Sequence, residues 1–237
     1  MYYKLSNTAE RIRIEHLFEV TFKYPHLYRP ELIINGLNET NVPIITKEEP
    51  DKISLSIWGL LPEDFNDDWS SFQNLTNTLN IDKGRLYSDS WCLAAFKKRK
   101  CLIVVTGFFT SFLKNGQIYP YHIGLPDGEP FFLAGIYNRL SDGFLTCSLL
   151  LGPAEAHITK FQNLANTMPL IIPKDYSELW LGEDFELNEL TELTKYPRRN
   201  RLKANPIAKD FFKNNITFDG MLHPMDYLDI PKDDGEL

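Results

Sequence analysis

The sequence is poor in the residues that make enzyme chemistry easy to recognise. Its 237 residues include three cysteines and five histidines. Cys92, Cys101 and Cys147 are odd in number and lack metal-ligand spacing, which excludes a disulfide framework and a regular zinc site. They are expected to be reduced, mostly buried thiols of a cytoplasmic protein. No P-loop, no G-x-S-x-G and no H-E-x-x-H is present. No apolar run approaches the roughly 20 residues of a membrane span. The longest, around Cys101–Val105, is strand-sized. No basic stretch followed by an apolar core opens the sequence, so no secretory signal is read. Positive charge is also scarce: 25 Lys and Arg stand against 32 Asp and Glu, a net charge of −7. A protein built only to grip phosphates is usually basic, although net charge does not describe a local groove. No metal or other cofactor is expected.

What is present is an ordinary globular composition, 43% apolar and 24% charged, with enough length for one large core. No repeat, linker or boundary is visible, so one domain is expected over 1–225, followed by a mobile acidic tail over 226–237. Helices are expected over Thr8–Phe18, with Asn7 or Thr8 as cap, and over Asp89–Lys98, Ala154–Leu164 and Tyr176–Leu181. Asp68–Leu79 is polar and shows no clean period. Strands are expected over Ile53–Trp58, Cys101–Phe112, Ile118–Ile123, Phe131–Tyr137, Phe144–Leu151 and Pro169–Ile172. Asn115-Gly116 and Asp142-Gly143 mark tight turns. Strands and helices without strict alternation predict an α+β fold with a mostly antiparallel, barrel-like sheet flanked by short helices.

Several segments carry a family likeness by their order and spacing. They are MYYKLS at Met1–Ser6, VPIIT at Val42–Thr46 and PDKISLSIWGLLP at Pro50–Pro62. NTLNIDKGRLYSDSWCLAAFKKRKCLIVVTGFFT follows at Asn77–Thr110, then YPYHIGLPDGEPFFLAGIY at Tyr119–Tyr137 and TMPLIIP at Thr167–Pro173. Together they resemble the SRAP family, whose members link themselves to abasic sites in single-stranded DNA. The resemblance implies the α+β SRAP fold. It also implies an ancestral chemistry in which an N-terminal Cys, exposed by removal of Met, forms a thiazolidine with the abasic aldehyde, alongside a proposed peptidase activity.

Position by position, the resemblance keeps the framework and changes the chemistry. The Cys position holds Tyr2, a phenol with no thiol character, and a bulky second residue disfavours Met removal. Asn80 matches the family's site Asn. Thr110 stands where the family has its Glu, and Gln162 where the resemblance places its His; neither titrates near neutral pH. The family's Arg contacts to phosphate fall on Asp82 and Thr167.

For DNA contacts, the sequence offers Trp58 and Trp69 as stacking aromatics, with Trp69 the better exposed candidate. The basic runs Lys97–Lys100, with Lys97, Lys98 and Arg99, and Lys195–Lys203 are the other candidates. His122 reads as a surface or packing residue and His157 as a solvated helical one. Glu63, Asp64, Asp67 and Asp68 read as a solvated acidic loop. Three functions remain open: a degenerate paralogue with weak affinity for single-stranded DNA, an interaction module whose groove takes a protein segment or small ligand, and an enzyme with a relocated site. No membrane partner is expected.

Overall fold

The computed structural model describes residues 2–182, 189, 201–213 and 218–233. In chain order the strands and helices begin with β1 (Lys4–Asn7), α1 (Arg11–Phe18), β2 (Thr21–Phe22), β3 (Glu31–Asn35), β4 (Asn41–Thr46) and β5 (Lys52–Trp58). Next come α2 (Trp69–Leu75), β6 (Asn80–Asp82), α3 (Lys83–Ser88), α4 (Ser90–Lys98), β7 (Lys100–Val105), β8 (Gly107–Lys114) and β9 (Gln117–Gly124). The rest are β10 (Phe131–Arg139), β11 (Leu145–Pro153), β12 (Thr167–Pro169), β13 (Ile171–Ile172), α5 (Ser177–Leu181) and β14 (Lys203–Pro206).

Two sheets result. The larger runs β12-β11-β10-β7-β4-β5-β2, with β13 on β10 and β6 on β11. A parallel pairing of β11 with β5, Cys147 opposite Trp58, closes it into a barrel. The smaller sheet, β14-β9-β8-β1-β3, is antiparallel throughout. This is the expected α+β architecture with a barrel-like, mostly antiparallel core.

Period-two alternation sorts the side chains. Cys101, Ile103 and Val105 of β7 join Trp58, Leu133 and Leu149 in one cluster, which also takes Leu5 and Phe108 from the smaller sheet and Tyr2 just ahead of it. Leu102 and Val104 point the other way, into a second cluster covered by Ile14 of α1, Leu86 of α3, Phe96 of α4 and Trp180 of α5. The three cysteines are free and buried. No helix among the described residues is long and apolar enough to cross a membrane.

Several expectations are corrected. Cys101–Phe112 is not one strand: it breaks at Thr106, and β7 and β8 serve different sheets. The break is held by β1, since Thr106 N–H donates to Ser6 O at 2.8 Å and Thr8 N–H donates to Thr106 Oγ1 at 3.0 Å. Ala154–Leu164 forms only a 3-10 turn at Ile158–Lys160, because Ala154 N–H is drawn to Asn166 O and closes the segment into a loop. The first helix starts at Arg11, after Asn7 has spent its amide on Val104 O. Asp68–Leu79 does contain a helix, α2, capped where the Asp68 carboxylate accepts from Ser71 N–H at 2.7 Å. The tail up to residue 233 is docked, not mobile. Ile230 is buried, Tyr121 donates its hydroxyl to Pro231 O at 2.6 Å, and Asp233 accepts from Ala204 N–H at 2.9 Å. Apolar and hydrogen-bonding partners far along the chain outweigh its acidic composition.

Candidate functional site

The smaller sheet holds the N-terminal segment in place. β1 lies between β3 and β8, with Leu5 opposite both Ile34 and Phe108. Just ahead of it, Tyr2 turns its ring edge-on to Phe108, with centroids 5.8 Å apart. The Tyr2 side chain is 4% exposed. Its hydroxyl lies 2.9 Å from Gln162 Oε1 and 2.7 Å from Thr167 O. Thr110, in mid-β8, donates to the same Gln162 Oε1 at 2.8 Å. Asn80 opens β6, which β11 holds in parallel register, and donates its amide to Tyr2 O at 2.6 Å. Tyr2, Asn80, Thr110 and Gln162 therefore form one hydrogen-bonded group.

The amide orientation of Gln162 follows from its partners. Nε2 donates to the carbonyls of Ala165 and Thr167, each at 3.0 Å, so the oxygen must face Tyr2 and Thr110. Burial pushes the Tyr2 phenol up to about 12, against the lowering effect of Thr110 and Gln162. A neutral phenol has one proton, which two acceptors share. The group holds no side chain that titrates near neutral pH. Beside it lies a pocket of about 180 Å³, lined by Tyr2, Tyr3, Lys4, Thr110, Ser111 and Phe211 among others. A larger cavity of about 220 Å³, bounded by Phe18, Leu125, Phe131 and Ile171, includes none of the four residues.

None of the residues proposed for DNA joins this hydrogen-bonded group. Trp58 is fully buried, its indole N–H donating to Leu79 O at 2.9 Å, so it serves the core. Trp69 is a correction: it is 6% exposed and packs inward at the start of α2. Gly59, at φ +124°, leaves it room, because a Cβ there would sit 2.8 Å from Trp69 Nε1. Neither indole can stack on a base. Lys97, Lys98 and Arg99 end α4, whose Cys92, Ala95 and Phe96 belong to the cluster across the large sheet from Tyr2. Arg99 is engaged by Glu63 and by Asn138 Oδ1. Lys100 is buried, over the rings of Phe96 and Trp180. Of the run Lys195–Lys203, the part before Arg201 lies outside the described residues.

Asp82 caps α3, accepting from Arg85 N–H at 2.9 Å. Glu63 and Asp68 are likewise engaged, by Arg99 and by the α2 cap. His157 is another correction: it is not a solvated helical residue, because Asp233 binds its Nε2 at 2.9 Å and Arg201 contacts Nδ1. His122 packs, as expected, with Nε2 at 2.8 Å from Ser6 Oγ.

The family profile described as SOS response associated peptidase (SRAP) matches residues 1–214. The chain belongs to the SRAP family. It is 24% identical over 199 residues to the Saccharomyces cerevisiae protein named abasic site processing protein YMR114C, an alignment covering 80% of this chain and 52% of that one. The chain thus spans about half the length of that relative. Solved structures resemble this SRAP chain in fold. A Bacteroides thetaiotaomicron protein gives a TM-score of 0.79 at 21% identity, over 94% of this chain and 99% of the other. A Bordetella bronchiseptica protein gives 0.70 at 16% identity, over 87% and 99%.

The sequence did not single out Lys4, although it lines the pocket beside Tyr2. A lysine inside the strand-like run MYYKLS, flanked by apolar residues, was the available signal.

Proposed function

We propose that this chain is an SRAP protein that keeps the family scaffold but does not form a stable covalent bond with abasic DNA. One observation carries the reading. The side chain at the position likened to the family's nucleophile is a buried, neutral phenol hydrogen-bonded to Gln162 and Thr167. A thiazolidine needs an amine and a thiol on one residue, and Tyr2 offers no thiol. Thr110 and Gln162 hydrogen-bond to each other and cannot relay a proton near pH 7.

The test is direct. Incubation with a single-stranded oligonucleotide carrying an abasic site, without reductant, is expected to give no band that survives heating in denaturant. A heat-stable protein–DNA band would overturn the reading.

Affinity for intact single strands is expected to be weak and to vanish at physiological salt. On single strands, every cation withdrawn from a phosphate lowers the salt slope by about 0.7. Asp82 and Thr167 replace two such cations in the family comparison, and Arg99 is occupied by Glu63. Fluorescence anisotropy with a labelled oligonucleotide checks this. Tight binding that persists at physiological salt would mean that other cations have taken over. A second reading, a groove for a small ligand, is favoured by the pocket of about 180 Å³ beside Tyr2, which pairs apolar walls with hydroxyls.

A further inference from the structure

The loop that carries Gln162 has little regular structure of its own. It runs from Ala154 to Asn166, is closed where Ala154 N–H donates to Asn166 O at 2.9 Å, and contains the 3-10 turn at Ile158–Lys160. It supplies Gln162 to the Tyr2 group, and Leu164 and Ala165 to the wall of the adjoining pocket. Two other parts of the chain hold it. One is the β8–β9 hairpin, where the Asn163 amide bonds both Leu113 N–H and Leu113 O, at 2.7 and 2.8 Å. The other is the C-terminal segment Met225–Asp233.

That segment crosses the outer edge of β14 as a strap. Met225 N–H donates to Pro206 O at 2.7 Å, the Tyr227 hydroxyl to Ile207 O at 3.1 Å, and the Tyr121 hydroxyl to Pro231 O at 2.6 Å. Asp233 fastens the end. Its Oδ2 accepts from Ala204 N–H and lies against His157 Nε2, both at 2.9 Å, so one carboxylate ties β14 to the loop. Rings carry the connection onward. His157 meets Phe161 edge-on at 5.1 Å, and Phe161 packs on Tyr121 at 5.6 Å. Phe161 directly precedes Gln162. The strap itself buries little: Ile230 is its buried apolar side chain, and Leu228 is 92% exposed. Segments with few buried apolar contacts open at lower free energy than the core.

We infer that the strap and the Gln162 loop open together, as one unit, and that the strap thereby governs access to Tyr2 and its pocket. With Asp233 seated, His157 and Phe161 hold Gln162 Oε1 on the Tyr2 and Thr110 hydroxyls. With Asp233 released, those rings lose their backing, and the pocket loses the wall made by Leu164 and Ala165. This holds whether or not the chain bonds to DNA.

Native-state hydrogen exchange of the full chain, read amide by amide by NMR at low urea, tests it. Ala204 N–H reports the clasp, Phe161 N–H the turn and Ala154 N–H the closure of the loop. The three are expected to share one opening free energy and one urea dependence, both below those of Leu133 in the core. Different urea dependences in the wild type overturn the proposal. Asp233→Ala should speed all three by a common factor of at least about tenfold, the scale of losing hydrogen bonds to a charged group, and leave Leu133 unchanged. Tetranitromethane labelling, located by peptide mapping, should rise at Tyr2 in the same variant and stay constant at the exposed Tyr24 and Tyr87. Faster exchange at Ala204 alone, with Phe161, Ala154 and Tyr2 unmoved, overturns the coupling. If Leu133 also speeds up, the variant is globally destabilised, and the wild-type urea dependences decide.

Discussion

Tyr2→Ala is expected to lower unfolding free energy by about 3–5 kcal/mol, the usual cost of deleting a buried aromatic ring. The residue next to a chain end normally frays at little cost. Here it is pinned. The ring packs on Phe108, and the backbone carbonyl accepts from Asn80. Tyr2→Phe should cost far less, about 1 kcal/mol, for a reason specific to this group. Removing the hydroxyl strands neither acceptor: Gln162 Oε1 keeps Thr110 as donor, and Thr167 O keeps Gln162 Nε2. Urea unfolding of the two variants beside wild type measures both. Equal midpoints for Tyr2→Ala and wild type would show that the ring is not part of the core.

Acid should weaken the fold in a window set by His122. The imidazole bonds Ser6 Oγ, lies tilted against the Phe109 ring and is hemmed by two glycines. A Cβ on Gly107 would lie 2.1 Å from its Nε2, so the strands leave room for nothing more. Burial pushes its pKa down to about 4, from an ordinary 6.5. The unfolded chain therefore binds the proton more readily than the folded one. The contribution is fully present above about pH 6.5 and is lost as pH falls toward 4, reaching at most about 3 kcal/mol. The side chain keeps some solvent contact, which makes that figure a ceiling. Urea midpoints at pH 7 and pH 5 should differ clearly in wild type and much less in His122→Gln. The same pH difference in both proteins would assign the acid lability to other groups.

Much of the framework was legible because it is written in local patterns. The strand at Ile53–Trp58 and the Asn115-Gly116 turn, at φ 50° and 72°, needed no distant partner to be read. The strand's faces did: Ile53 is buried as expected, but Ser54, Ser56 and Trp58 are buried too, while Leu55 and Ile57, expected inward, are half-buried. The break at Thr106 was not legible. An unbroken apolar run looks the same whether one sheet or two receive it, and only the insertion of β1 decides. Trp69 misled for a related reason: polar neighbours suggested exposure, while the Asp68 cap rotates the first helical residue inward. At the site, alignment with a family brought Tyr2, Asn80, Thr110 and Gln162 into view as positions. The linkage of the Gln162 amide to two carbonyls, and the burial of Lys4, are tertiary facts with no mark in the string of letters.

The two sheets alternate along the chain. β1 belongs to the small one, β2 to the large and β3 to the small; β4 to β7 lie in the large, β8 and β9 in the small, β10 to β13 in the large and β14 in the small. Lys100–Lys114 passes from one sheet to the other across a single residue, Thr106. No cut therefore separates the protein into halves that each keep a sheet, and no fragment inherits a finished core. Lineages of such a fold can lengthen its turns or trade its side chains. They cannot borrow or donate half of it and keep a finished core.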